Sequence, residues 1–199
     1  MAYMMDNAQR LRAKVLNVPP RPRVYFAGKI ASRDWRHDLT ASLGAPANAL
    51  LYADQSDTEI PLTDADYVGP FFVYDNHVTY HGPSTHGNIM SRDTSDMSYV
   101  RNAIIHRNME AIRSANMIFA YLQSDDCYGT IGEIGMASSL ENRIVVATTD
   151  DFAMSKRIEE NLWHTLNMPY VEVHPRVHTN WLPSLFYSRI VKPFRADHQ

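Results

Sequence analysis

Over the carboxyl-terminal half of the chain, short apolar runs alternate with stretches of helical period. Residues 97–115 (MSYVRNAIIHRNMEAIRSA) place Val100, Ile104, Ile105, Met109 and Ile112 on one helix face. The run 116–122 (NMIFAYL) reads as a buried strand, and 123–129 as a loop. A helix follows over 130–142 (TIGEIGMASSLEN), then a strand over 143–149 (RIVVATT). Residues 151–167 read as one further helix, 169–174 as a last strand, and 181–192 as a closing helix. Upstream, 24–28 (VYFAG) is a short apolar run ending on glycine. It predicts a strand opening into a loop, then a helix to about residue 43 capped by Ser32 or Asp34.

Strands alternating with helices predict an α/β fold with a mainly parallel sheet. Ligands of such sheets bind beyond the carboxyl ends of the strands. That rule marks two stretches, the loop after residue 27 and the loop from Ser124 to Gly129. Residues 1–22 read as an N-terminal extension closed by the proline-rich LNVPPRPR, and 23–199 as a single domain. Within it, 44–98 reads as an insertion after the first strand–helix unit. Short strands at 49–53 and 69–75 fit this stretch, and 76–93 fits a long functional loop.

Composition narrows the partners. A net charge of −3 without a long basic stretch argues against duplex nucleic acid, which calls for a concentrated positive face. The 199 residues are 45% hydrophobic, ample for a buried core, and no window has the apolar length of a membrane span. The single cysteine, Cys127, leaves no intrachain disulfide, and no signal-peptide core is visible at the start. The expected location is cytoplasmic and the expected partner a small molecule.

The segment carrying most chemistry is YGTIGEIGMA (128–137), between a buried strand and a helix. Gly129, Gly132 and Gly135 leave the helix start bare for a ligand, with Thr130 beside them. Glu133 falls in the predicted first turn, facing the crevice at the strand ends. A carboxylate there suits glycosidic cleavage, whose oxocarbenium-like state it can stabilise or attack. The competing reading is a capping box, Thr130 to Glu133, in which both side chains serve only the helix start.

Three segments together resemble the nucleoside 2-deoxyribosyltransferase superfamily: VYFAGKI (24–30), NMIFAYL with its acidic loop SDDCYG, and GTIGEIGMA. The resemblance covers 24–43 and 100–150. It implies a flavodoxin-like three-layer sandwich, a nucleophilic glutamate at Glu133 and an orienting tyrosine at Tyr25. It also implies a substrate loop through Gly28 and Lys29, and an acidic residue near the base, a role for Asp125 or Asp126 because Cys127 holds the strict position. The superfamily's aspartate on the preceding helix has no carboxylate counterpart, as His106, Arg107 and Asn108 occupy that stretch.

The superfamily also holds nucleoside 5′-monophosphate N-glycosidases, whose first loop binds phosphate. Lys29, Ser32, Arg33 and Arg36 suit that ligand, although Arg33 and Arg36 equally fit a solvated helix face. His81 and His86 fit a polar loop over the substrate. With His77 they match no zinc spacing, so no metal is expected, nor any organic cofactor. The expected activity is N-glycosidic cleavage of a nucleoside or 5′-monophosphate, by transfer to a second base or to water. A non-catalytic nucleotide sensor on the same fold is the alternative. The resemblance further implies a homodimer or larger homo-oligomer.

Overall fold

The computed structural model describes residues 20–29, 35–46, 59–70 and 97–198, with side chains from 105 onward in the last stretch. The described strands are β1 (Arg23–Ala27), β2 (Ile60–Pro61), β3 (Asp66–Gly69), β4 (Met117–Leu122), β5 (Arg143–Thr149) and β6 (Val171–Val177). They form one sheet in the order β2-β3-β1-β4-β5-β6. All neighbours are parallel except β2 against β3. Without β2 the order is that of flavodoxin-like sheets.

The strands form where the apolar runs lie. All six residues of β4 and the central five of β5 are buried, the pattern of parallel strands covered on both faces. Alternate side chains feed two cores. Val24, Phe26 and Phe119 pack with Trp35 and Leu39 of α1 (Trp35–Ser42) and with Phe186 and Phe194 near the carboxyl terminus. Tyr25, Ala27, Ile118 and Ala120 face the other way. There they meet Ile112 of α2 (Met97–Ser114), Ile134 of α3 (Tyr128–Ser139) and Ile158 of α4 (Phe152–Asn161). Three layers result, as the resemblance implies.

Several boundaries differ from the pattern. The helix expected over 151–167 is two, α4 and α5 (Trp163–Leu166), because Leu162 leaves helical geometry at φ −109° and ψ 17°. Ile158, Leu162 and Leu166 keep fourfold spacing across the break, so periodicity does not reveal it. β6 starts two residues later than expected, after Tyr170 at φ 67°, and runs on through Pro175. A proline is tolerated there because β6 is an edge strand. The closing helix is α6 (Leu182–Phe186), a π-helical turn (Tyr187–Val191) and α7 (Lys192–Ala196).

Residues 60–69 lie within the stretch read as an insertion, yet they supply the sheet's β2 and β3. β3 (Asp66–Gly69) ends where the strand expected over 69–75 begins, and that strand lies from residue 71 on outside the described residues. The possible strand at 49–53, the loop 76–93 and the caps Ser32 and Asp34 lie outside the described residues. Among the described residues no helix is long and apolar enough to cross a membrane.

Candidate active site

β1 runs up the middle of the sheet, and its alternation turns Tyr25 toward α3. The ring is fully buried. Its hydroxyl donates to Glu133 Oε1 at 2.5 Å, linking residues 108 positions apart. α3 begins at Tyr128, two residues before the predicted start, with Cys127 at the N-cap and no side-chain cap. Cys127 is drawn into the core at 3% exposure, which lets its carbonyl accept from Ile131 N at 3.1 Å and start the helix early.

That shift removes the capping-box reading of T-x-x-E. Thr130 is the third helical residue and Glu133 the sixth, so the pair is no capping box and Glu133 sits beyond the first turn. Thr130 is buried at 3% exposure. Glu133 keeps part of its surface open to solvent, with its carboxylate held against Tyr25.

Burial raises the Glu133 carboxyl to about 7, against the opposing pull of the Tyr25 hydroxyl and the Arg36 charge. Burial, and then the charge of Glu133, push the Tyr25 phenol well above its ordinary value. Tyr25 therefore stays protonated and acts as donor throughout the neutral range. A Cβ built at Gly129, Gly132 or Gly135 meets no atom within 4 Å. The surface around Glu133 is thus open, as the glycine pattern implies.

Replacing Gly132 by alanine therefore tests the opening. An alanine in a helix interior is expected to stabilise by up to about 1 kcal/mol, read as a higher melting temperature. A raised KM with kcat unchanged is the expected kinetic effect if substrate lies against this face. An unchanged KM would place the substrate elsewhere.

Two loops meet across β1 and β4. Gly28 ends β1 where a Cβ would stand 2.9 Å from the backbone oxygen of Tyr121, so a side chain does not fit. Lys29 Nζ reaches Asp126 Oδ2 at 2.7 Å, bridging the loop after β1 to the loop after β4. Ser124 Oγ donates to the other Asp126 oxygen at 2.5 Å. The lysine and the serine hold Asp126 below the usual carboxylate range.

Asp125 turns the opposite way. It accepts from Asn161 Nδ2 at 2.7 Å and from Arg157 Nη2 at 2.8 and 3.1 Å, both on α4. Asn161 first, then Arg157, lower its carboxyl. Of the two acidic candidates, Asp126 lies on the crevice side with Lys29, and Asp125 ties the loop to α4. Arg157 and Asn161 were not legible as site neighbours; their only signal is fourfold spacing on one helix.

Arg36 departs from its expected role. It is no solvated or ligand-facing cation but fully buried, with Nε on Phe26 O at 2.9 Å and Nη2 on Gly28 O at 2.5 Å. Arg33, His81 and His86 lie outside the described residues. Cys127, whose thiol burial lifts to about 11, is no nucleophile. A separate hollow of about 250 Å³, lined by Phe152, Ser155, Lys156, Glu159, Pro175 and Arg176, shares no side chain with the Glu133 cluster.

Residues 21–152 match the family model described as nucleoside 2-deoxyribosyltransferase like. The chain belongs to that family. The matched stretch runs from the residue before Pro22 to the start of α4, and so holds Tyr25, Glu133 and both loops. Membership in the nucleoside 2-deoxyribosyltransferase-like family sets the activity class as glycosyl transfer. No curated protein matches the chain.

Proposed function

We propose that the protein cleaves the N-glycosidic bond of a nucleoside or nucleoside 5′-monophosphate, with Glu133 as the attacking carboxylate. A Glu133 oxygen forms a bond to C1′ as the C1′–N bond breaks, and the base departs with the bonding pair and takes up a proton. The second step reverses the roles. A nitrogen of another base, or a water oxygen losing its proton, attacks C1′ and frees the carboxylate.

The observation that carries this reading is the Tyr25–Glu133 hydrogen bond at the carboxyl side of β1 and β4. The contact orients the carboxylate through a neutral donor that does not compete as a nucleophile. Half-burial raises the energy of the charge before reaction, and an ester to C1′ removes that charge. With a carboxyl near 7, a large share is ionised at neutral pH. The bare surface at Gly129 and Gly132 leaves room for the sugar, and the Lys29–Asp126 bridge borders the side where a base or phosphate enters.

The experiment is a chromatographic assay of released bases, run on nucleosides and 5′-monophosphates with and without a second free base. Release without added base is the hydrolytic outcome, and a new nucleoside after adding it is the transfer outcome. Binding of substrates without release of any base would overturn the catalytic reading in favour of a nucleotide-binding protein.

A further inference from the structure

Three consecutive side chains in the loop between β4 and α3 point three ways. Asp125 reaches α4, Asp126 reaches Lys29, and Cys127 is drawn into the core. Residues 123–127 are all that join the end of β4 to the start of α3, so a shift of one carries its neighbours. The anchors differ in strength. Ser124 bonds Asp126 from within the loop and cannot fix it to the body of the domain. The Lys29–Asp126 pair does cross to another element, but its side chains are 37% and 55% exposed. A pair so open to water holds its geometry weakly.

Asp125 is held more firmly. Its side chain is 15% exposed and accepts from two residues of one helix face, Arg157 Nη2 at 2.8 and 3.1 Å and Asn161 Nδ2 at 2.7 Å. These donors stand one turn apart, so both reach a single carboxylate. The helix beneath them is itself fixed. Asp151 caps α4 by accepting from Met154 N at 2.9 Å, Ser155 Oγ meets Thr148 Oγ1 of β5 at 2.7 Å, and Ile158 is fully buried. A seated helix thus grips the residue next to Asp126.

We infer that Arg157 and Asn161 are positioning residues for the ligand crevice: by clamping Asp125 to α4 they set Asp126, and with it Lys29, where a base or phosphate enters. The inference rests on the proposed crevice between the loops after β1 and β4. Neither residue touches substrate; both act through Asp125. Both also lie beyond the family-matched stretch, which ends at residue 152, the first of α4. Misplacing a binding group by about 1 Å is enough to cost about 10²-fold, so a modest surface clamp has a large effect if it sets position.

The test measures Kd for the four 2′-deoxynucleoside 5′-monophosphates and their nucleosides, in a Glu133→Gln background so that binding is read without turnover. Arg157→Ala with Asn161→Ala is expected to raise the Kd of the tightest probe about tenfold. Asn161→Ala alone, in which no charge changes, is expected to show part of that rise. Asp125→Ala should match the double variant, and combining all three should add nothing, because the three side chains act as one unit. With Asp126→Ala already in place, loss of the clamp should leave Kd unchanged; a role only in overall stability would give no such dependence on Asp126. A folded double variant with the parent Kd overturns the inference, as does an effect that persists in full without Asp125 or without Asp126. Should the double variant fail to fold, an unmoved Kd in Asn161→Ala overturns it instead, and so does failure of every probe to bind the unmutated crevice. Base release by the unmutated protein together with an unmoved Kd sinks the clamp and keeps the glycosidic reading. A raised Kd without any base release by the unmutated protein keeps the clamp and sinks that reading.

Discussion

Glu133→Gln is expected to abolish base release and, at pH 8, to raise the melting temperature. Glutamine has nearly the shape of glutamate and its carbonyl still accepts from Tyr25, so the fold keeps its contact. What disappears is a nucleophile able to carry the glycosyl group, and a loss of about 10³-fold or more in kcat is the scale on which such removals register. The gain in stability follows from linkage. The folded carboxyl titrates near 7 against an ordinary value of 4.5. Between those values the native state holds a proton that the unfolded chain has released, so stability falls as pH rises through that window. The full shift corresponds to about 3 kcal/mol, an upper figure for a group with part of its surface open. The parent should melt several degrees lower at pH 8 than at pH 5 through this group alone, and the variant should lose that part of the slope. Undiminished base release would remove the proposed mechanism. An unchanged slope would remove the buried charge.

The strand runs legible as NMIFAYL and RIVVATT became β4 and β5 because both faces of those strands are covered, which demands unbroken apolar stretches. VYFA became β1 for the same reason. β3 has no counterpart in the pattern because its four residues, Asp66–Gly69, are few and carry a polar start. Ends went astray where one residue overrode a pattern. The strand expected to end at 174 runs on through Pro175, which an edge tolerates, while Leu162 bends the chain without disturbing the fourfold spacing.

The site was legible in part, for a related reason. The glycine-rich helix start points to Glu133 and an open surface around it, and the resemblance adds Tyr25. No local rule, however, tells that a tyrosine on β1 meets a glutamate 108 residues later. The capping-box alternative was reasonable because T-x-x-E has the right spacing, and it failed because burial of Cys127 moved the helix start. Arg36 fits a phosphate ligand or a solvated helix face from the sequence alone, and neither pattern shows that it is buried. Its burial goes with the bonds it gives to Phe26 O and Gly28 O, contacts that no local pattern reveals.

Removing only the hydroxyl of Tyr25 should separate orientation from chemistry. In Tyr25→Phe the ring still fills its slot against Gly69, whose built Cβ lies 3.2 Å from ring carbons. The carboxylate of Glu133 then loses the one hydrogen bond that Tyr25 gives it, so its affinity for a proton rises further above the parent's value near 7. The acid limb of kcat should move upward by about one pH unit, with activity down about 10- to 100-fold at pH 6 and by much less at pH 9. Stability follows the same sign. Below pH 4 the carboxyl is protonated in both states and the variant loses only a neutral hydrogen bond, at a cost of about 1 kcal/mol. Above pH 8 the charged carboxylate is left without its donor, at a cost of about 1–3 kcal/mol. In a Glu133→Gln background the same change removes only a neutral hydrogen bond worth about 1 kcal/mol, and the pH dependence of the difference vanishes. Parallel pH profiles for Tyr25→Phe and the parent would mean that the tyrosine shapes the pocket without acting on the carboxylate.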